Sequence, residues 1–231
     1  MEYKYIFDVN TCLYNQNCKM QADTPEKCNP MCPRYMEMHY HMNTTGIPIN
    51  LRKPTPLVPE EEDRQAFIEL REYRQDIKSH VEKGDNLFIY SEKTGNGKTS
   101  WAVKILVSFF DKNWIGNGRR DLGYFVSVPA LLMKMKAFSE HDEEWLREKN
   151  KIRTVPLVVF DDLGANKLSD FDHANLFNLI DTRINNGLSN IFTSNLGEET
   201  LPVAIGERLF SRVWGTSKHI RFVGADRRIN K

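Results

Sequence analysis

A chain of 231 residues has room for one full α/β domain and a small appendage, but not for two large domains. With 40% hydrophobic and 27% charged residues it has an ordinary globular composition, and a net charge of +1 leaves any nucleic-acid contact to local patches, not to a global field. No apolar run approaches the ~20 residues of a membrane span, and the start, MEYKYIFDVN, lacks the apolar core and cleavage site of a secretory signal, so a cytoplasmic location away from membranes is expected.

All four cysteines, Cys12, Cys18, Cys28 and Cys32, fall in the first 32 residues. In a reducing compartment such a cluster points to a metal site more than to disulfides. The spacing C-x5-C-x9-C-x3-C has no C-x2-C knuckle. Four thiolates can still close a tetrahedral Zn²⁺ shell, and so small a segment needs a staple to hold a fold. His39 and His41 are reserve ligands; four ordinary free thiols are the alternative. Residues 1–50 show little periodicity and read as a compact metal-stapled module with its own core. The stretch GIPINLRKPTPLVP carries four prolines, so 51–59 reads as a linker, or a strap across the domain at 60–231.

From Glu60 the apolar residues Phe67, Ile68, Leu70, Tyr73, Ile77 and Val81 recur at near-helical spacing up to Gly84, predicting an amphipathic helix. A short apolar strand, 86–90, then runs into SEKTGNGKTS and a strongly apolar helix, 101–110. This is the pattern of a nucleotide-binding P-loop, Thr94-Gly95-Asn96-Gly97-Lys98-Thr99-Ser100. Gly95 and Gly97 permit backbone angles that turn successive N–H groups toward phosphate oxygens. Lys98 would reach the β- and γ-phosphates, Thr99 would offer a hydroxyl to Mg²⁺, and the positive end of the following helix would add to the field. The usual first glycine is replaced by Glu92, but the strand before and the helix after supply the required context.

A second strand is expected at 124–128, a helix carrying Lys134 and Lys136 at 129–138, and an exposed helix at 141–153. The run VPLVVFDDLG, 155–164, reads as a strand buried on both faces, as in parallel sheets. It ends in Asp161, placed to hold Mg²⁺ through water, and Asp162, placed to polarise an attacking water. Ser169 and Asp172 form a capping-box signature for a helix to about 186, and a strand at 190–194 ends at Asn195, which would face a γ-phosphate or simply close a turn. The last 31 residues hold seven basic side chains, from Arg208 to Lys231, against Glu207 and Asp226. That is either a solvated face or a source of arginine fingers.

Taken in order, TGNGKTSW, LVVFDDLG, NIFTSN, ERLFSRVW and a terminal GADRR resemble the AAA+ ATPases of the DnaC/DnaI type, the bacterial and phage replicative helicase loaders. The resemblance covers roughly 60–231, and the Cys-rich start is similar to the small zinc-bearing, helicase-binding domain of DnaI-like loaders. It implies a parallel α/β P-loop sheet flanked by helices, and ATP with Mg²⁺ as ligands. It makes Asn195 the sensor 1 residue, Arg212 the finger acting on a neighbour's ATP, with Arg208 the alternative for a share in that role, and Arg228 the sensor 2 arginine. Helix 129–138 would approach single-stranded DNA. The chain ends three residues after Arg228, which implies a truncated helical lid.

The implied function is ATP-dependent loading of a hexameric replicative helicase onto single-stranded DNA by a self-associating ATPase. Three alternatives stand beside it. An IstB-type transposition helper shares the core but would carry a helical N-terminal segment in place of the cysteines. A small P-loop phosphotransferase would need an arginine-rich lid, where 116–155 supplies only Arg119, Arg120, Arg147 and Arg153. A nucleotide-switched adaptor would turn over little.

Overall fold

The computed structural model describes residues 4–14, 18, 28–53, 56–114, 120–138 and 142–226. Five strands, β1 (Asn86–Tyr90), β2 (Gly123–Ser127), β3 (Leu157–Asp161), β4 (Ser189–Ser194) and β5 (Ser217–Arg221), form one sheet in the order β2-β3-β4-β1-β5. Every pairing is parallel. Parallel neighbours need long crossovers, and helices supply them: α4 (Lys98–Lys112), α5 (Val128–Ala137), α6 (Glu143–Thr154), α7 (Asp170–Asn185), α8 (Leu201–Ile205) and α9 (Glu207–Gly215). Three more precede β1: α1 (Pro33–Thr44), α2 (Arg64–Gln75) and α3 (Ile77–Lys83).

Because side chains alternate across a strand, the sheet divides the core in two. Leu87, Ile89, Leu157, Val159, Ile191 and Ile220 pack with α1 to α4 on one face. Phe88, Val126, Val158, Phe160 and Phe192 pack with α5 to α9 on the other. The central strands β1, β3 and β4 are buried nearly throughout, which accounts for the apolar runs of β1 and β3, while β4 buries Ser189, Asn190, Thr193 and Ser194 with their polar groups.

The expected helix before β1 is two helices, broken at Asp76 and preceded by a 3-10 turn at Glu61–Asp63. The run read as a strand over 155–164 pairs only over Leu157–Asp161, because Asp162 turns out of the sheet with φ +58. Strand β5 was read only as part of a basic run. It lies on the sheet edge with Ile220 as its buried residue. There its charges find partners elsewhere in the chain, Lys218 with Glu69 and Arg221 with Glu92.

The N-terminal part also departs from expectation, since α1 is a full helix opened by Pro33 in a region that shows little periodicity. Its core is not separate: Met38, Met42 and Ile47 belong to the same buried cluster as Phe109 and Phe110 of α4. The His41 ring stacks on Phe110 at 4.4 Å, and Arg34 pairs with Asp111 at 2.6 Å. Just after α1, the Thr45 carbonyl accepts from Phe125 N–H at 2.7 Å, covering the open edge of β2.

Arg183 of α7 is fully buried. Its guanidinium donates to Asn190 Oδ1 (2.6 Å), the Ile152 and Val155 carbonyls (2.7 and 2.9 Å) and the Ser189 carbonyl (2.8 Å). This one side chain ties α7 to the end of α6 and the start of β4.

Candidate functional site: a phosphate loop facing two carboxylates

The loop from Ser91 to Gly97 lies at the C-terminal end of β1, the end where open parallel sheets place their ligand crevices. Gly95 and Gly97 have φ of +71° and +100°, angles costly for a side-chain-bearing residue. Glu92 lies outside that region: Asp162 is the non-glycine residue with positive φ among those described. That explains why the missing first glycine is tolerated. The Glu92 carboxylate instead turns outward to accept from Arg221 Nη2 at 2.9 and 3.1 Å.

Two side chains that sequence reading passed over or left without a defined role stiffen the loop. Ser91 Oγ accepts from Lys93 N–H (3.1 Å) and from Asn96 Nδ2 (2.6 Å), with Asn96 fully buried. Lys98 begins α4 and folds back into the loop, only 6% exposed. Its Nζ donates to the Lys93 carbonyl (2.9 Å) and Asn96 Oδ1 (3.1 Å), so the ammonium is held among polar acceptors where phosphate oxygens could replace them.

Strand β3 brings Asp161 to the same end. Burial pushes its carboxyl up to about 6 and the neighbouring Asp162 charge adds to this, while hydrogen bonds from Thr193 and Thr99 and the Lys98 charge pull it down. A buried carboxylate facing a P-loop hydroxyl is a donor set suited to Mg²⁺, which would favour the ionised form. Thr193 Oγ1 lies 2.6 Å from Asp161 Oδ1 and accepts from Asp162 N–H at 3.0 Å. Asn195 follows β4 directly, and Ser194 is in register with Tyr90, so Asn195 sits at the sheet end between the P-loop strand and β3.

The arginines lie elsewhere. Arg212 of α9 pairs with Asp181 of α7 at 2.8 Å. Arg208 stands over the Phe177 ring at 4.7 Å. Arg228 lies outside the described residues. Lys134 and Lys136 are engaged within the fold, with Glu148 (2.6 Å) and Asp172 (2.7 Å). Beside them, Lys149 and Arg153 line a groove of about 290 Å³ with Asn150, Asn175 and Asn178 and carry no ion pair among the described residues.

A second contact at the loop was not foreseen. After β5 the chain crosses the P-loop, its Val223 and Gly224 N–H groups held by the buried Asp63 carboxylate at 2.8 and 3.0 Å. Lys93 Nζ donates to the Val223 carbonyl (2.7 Å), Thr94 Oγ1 donates to Asp226 Oδ2 (3.3 Å), and a Cβ on Gly95 would overlap the Asp226 carboxylate.

Cys12, Cys18, Cys28 and Cys32 all border one cavity of about 510 Å³ between the N-terminal segment and α4. Burial pushes the Cys12 thiol up, and the nearby Cys28, Cys18 and Cys32 add to the effect. No group of three or more His, Cys, Asp or Glu stands in metal-holding geometry among the described residues. His41, a reserve ligand in the sequence reading, is instead buried against Phe110, and that burial lowers it to about 4. No helix among the described residues is long and apolar enough to cross a membrane.

Comparison with known proteins agrees with this architecture. The replicative helicase loader DnaC of Buchnera aphidicola subsp. Baizongia pistaciae (strain Bp) is 25% identical over 158 residues, which are 68% of this chain and 60% of that protein. The crystal structure of the DnaC helicase loader superposes with a TM-score of 0.60 at 23% identity, covering 79% of this chain and 99% of that one. That of DnaI superposes with a TM-score of 0.62 at 20% identity, covering 77% and 95%. At such identities the two structures share with this chain the fold alone, a parallel sheet flanked by helices. The model of the IstB-like ATP binding proteins matches residues 71–210, from α2 through the P-loop, β3 and β4 to α9, and the chain belongs to that family.

Proposed function

We propose that this protein is an ATP hydrolase that loads a hexameric replicative helicase onto single-stranded DNA. The observation carrying the proposal is the meeting of Lys98, Thr99 and Asp161 at one end of the sheet, with Asp162 beside them. The DnaC relative favours the loader over other ATPases of this family.

In this reading the N–H groups of 94–99 and Lys98 bind the phosphates of ATP. Thr99 and Asp161 would hold Mg²⁺, which would supply neutralisation of the phosphate charge. Asp162 and Asn195 orient a water: its oxygen bonds to the γ-phosphorus as the bond to the β–γ bridging oxygen breaks, releasing ADP, phosphate and a proton. Arg212 serves a neighbouring subunit's ATP, which requires it to leave Asp181, and Arg228 completes the set as sensor 2. The four cysteines border one cavity without standing in metal-holding geometry; drawn together they would hold a Zn²⁺ ion that cross-links the N-terminal segment, the part assigned to helicase binding within the 1–50 module. For single-stranded DNA, Lys149 and Arg153 are better placed than the paired Lys134 and Lys136.

The family match itself favours a second reading, a transposition helper. One experiment separates them. Chain, ATP and a hexameric replicative helicase are incubated with circular single-stranded DNA, and ATP hydrolysis and helicase retained on DNA are measured together. ATP-dependent retention supports loading. Hydrolysis stimulated by DNA without any helicase binding turns the reading to the helper, and absence of ATP binding and hydrolysis removes both.

A further inference from the structure

Thr193 falls within the strand expected at 190–194, and it is fully buried on β4. A hydroxyl has one proton to give. Here the Asp162 N–H can only donate, so Thr193 Oγ1 is its acceptor at 3.0 Å, and the hydroxyl's own proton points to Asp161 Oδ1 at 2.6 Å. The two neighbouring carboxylate residues are thus joined through a single oxygen atom. Asp162 is also the non-glycine residue held at positive φ among those described, a conformation that persists only where its surroundings enforce it. The next residues are clasped as well, with Leu163 N–H donating to the Thr193 carbonyl (2.8 Å) and Ser194 Oγ to the Leu163 carbonyl (2.6 Å).

We propose that Thr193 is a positioning residue for ATP hydrolysis, its hydroxyl setting the placement of the Asp162 carboxylate relative to Asp161. The inference rests on the ATPase reading above. It concerns the step after binding, because the P-loop contacts to phosphate do not pass through β4. Losing the hydroxyl frees the turn at Asp162, and a displacement of about 1 Å at a group that orients the water costs on the order of 10²-fold in rate.

The test compares Thr193→Val, which keeps the shape and deletes the hydroxyl, with Thr193→Ser, which keeps the hydroxyl and deletes the methyl. We expect Thr193→Val to lower kcat by about 10- to 100-fold with ATP affinity within about threefold of wild type. Thr193→Ser should keep most of kcat although its Tm falls. A merely structural threonine would give the opposite order, with the serine variant affected through its cavity and the valine variant near wild type. Should Thr193→Val not fold, Thr193→Ala carries the same expectation, and a kcat for it equal to that of Thr193→Ser overturns the proposal. Wild-type protein that binds no ATP sinks the ATPase reading and this inference with it. An active wild type with an equally active valine variant sinks the inference alone.

Discussion

Replacing Arg183 by methionine should cost a large part of the stability of the fold. The side chain is 0% exposed, and burial lowers its pKa to about 9, so it remains a cation at neutral pH. It is stabilised by four acceptors between 2.6 and 2.9 Å and no ion-pair partner among the described residues. Hydrogen bonds to a charged group contribute about 1.5–3 kcal/mol each, giving roughly 6–12 kcal/mol gross. The fall from 12.5 to about 9 sets against this a desolvation cost of about 5 kcal/mol. Methionine recovers that cost but strands three carbonyls and the Asn190 amide oxygen, so the expected net loss is about 3–5 kcal/mol, as for breaking other buried polar sets. Typical total stabilities are about 5–15 kcal/mol. Asn190 Nδ2 donates in turn to Asn86 Oδ1 (2.9 Å), so the damage extends to β1 below the P-loop. Arg183→Lys, whose ammonium cannot fork to both sides, should lose a smaller share. Equilibrium urea unfolding with an unchanged m-value measures the loss. A loss below about 1 kcal/mol for Arg183→Met would refute the reasoning, because it would mean that the four contacts are replaced by water or by relaxation.

Lys98→Ala should lose ATP binding, whereas Asp162→Asn should keep it and lose turnover; equal affinity losses in an equilibrium binding assay would contradict the division of roles. Arg212→Ala should bind ATP normally and hydrolyse it slower on the order of 10³-fold, and mixing it with Lys98→Ala should restore activity at mixed junctions; a mixture that never exceeds the summed separate rates removes the cross-subunit role. Without nucleotide and metal, Asp161 is raised from 3.8 to about 6, so its contribution to stability is full below pH 4 and lost as pH rises through 6. His41 is lowered from 6.5 to about 4, so its contribution is present above 6.5 and lost as pH falls through 4. Each window is worth about 3 kcal/mol at most and the two oppose each other. Between pH 4 and 6, His41→Phe should become less stable as pH rises and Asp161→Asn more stable, and superimposable urea midpoints for the two variants would contradict both assignments. Freshly purified protein should carry about one zinc per chain by elemental analysis. Because Met38 and Met42 share a core with α4, Cys28→Ser should lower the melting temperature of the whole chain, and unchanged melting with full metal content would dismiss the site.

Much of the fold was legible because the signals are local. The apolar runs of β1 and β3, the Ser169–Asp172 capping box and the glycines of the P-loop each report on the backbone or burial of their own segment, and they lie where expected. The local signal was weakest where an element buries little of itself. Strand β5 turns mostly charged residues outward from a sheet edge, and α1 carries Glu37, His39 and His41 among its few apolar positions, so neither shows a clean period.

What only the tertiary structure decided are partnerships between distant positions. Chain order put Asp161 and Asp162 together, but the hydroxyl that joins them comes from β4, 32 positions beyond Asp161, and a buried threonine tells only that it must have some partner. Nothing in its local sequence distinguishes Arg183 from other helix arginines; its four acceptors come from around the end of α6 and from β4. The basic C-terminal stretch reads in sequence as either a solvated face or a source of arginine fingers, yet Arg212, Lys218 and Arg221 each meet a carboxylate from another part of the chain. Periodicity tells which face of an element is buried, whereas the identity of what it meets depends on strand order, and the placement of β4 between β3 and β1 built this site.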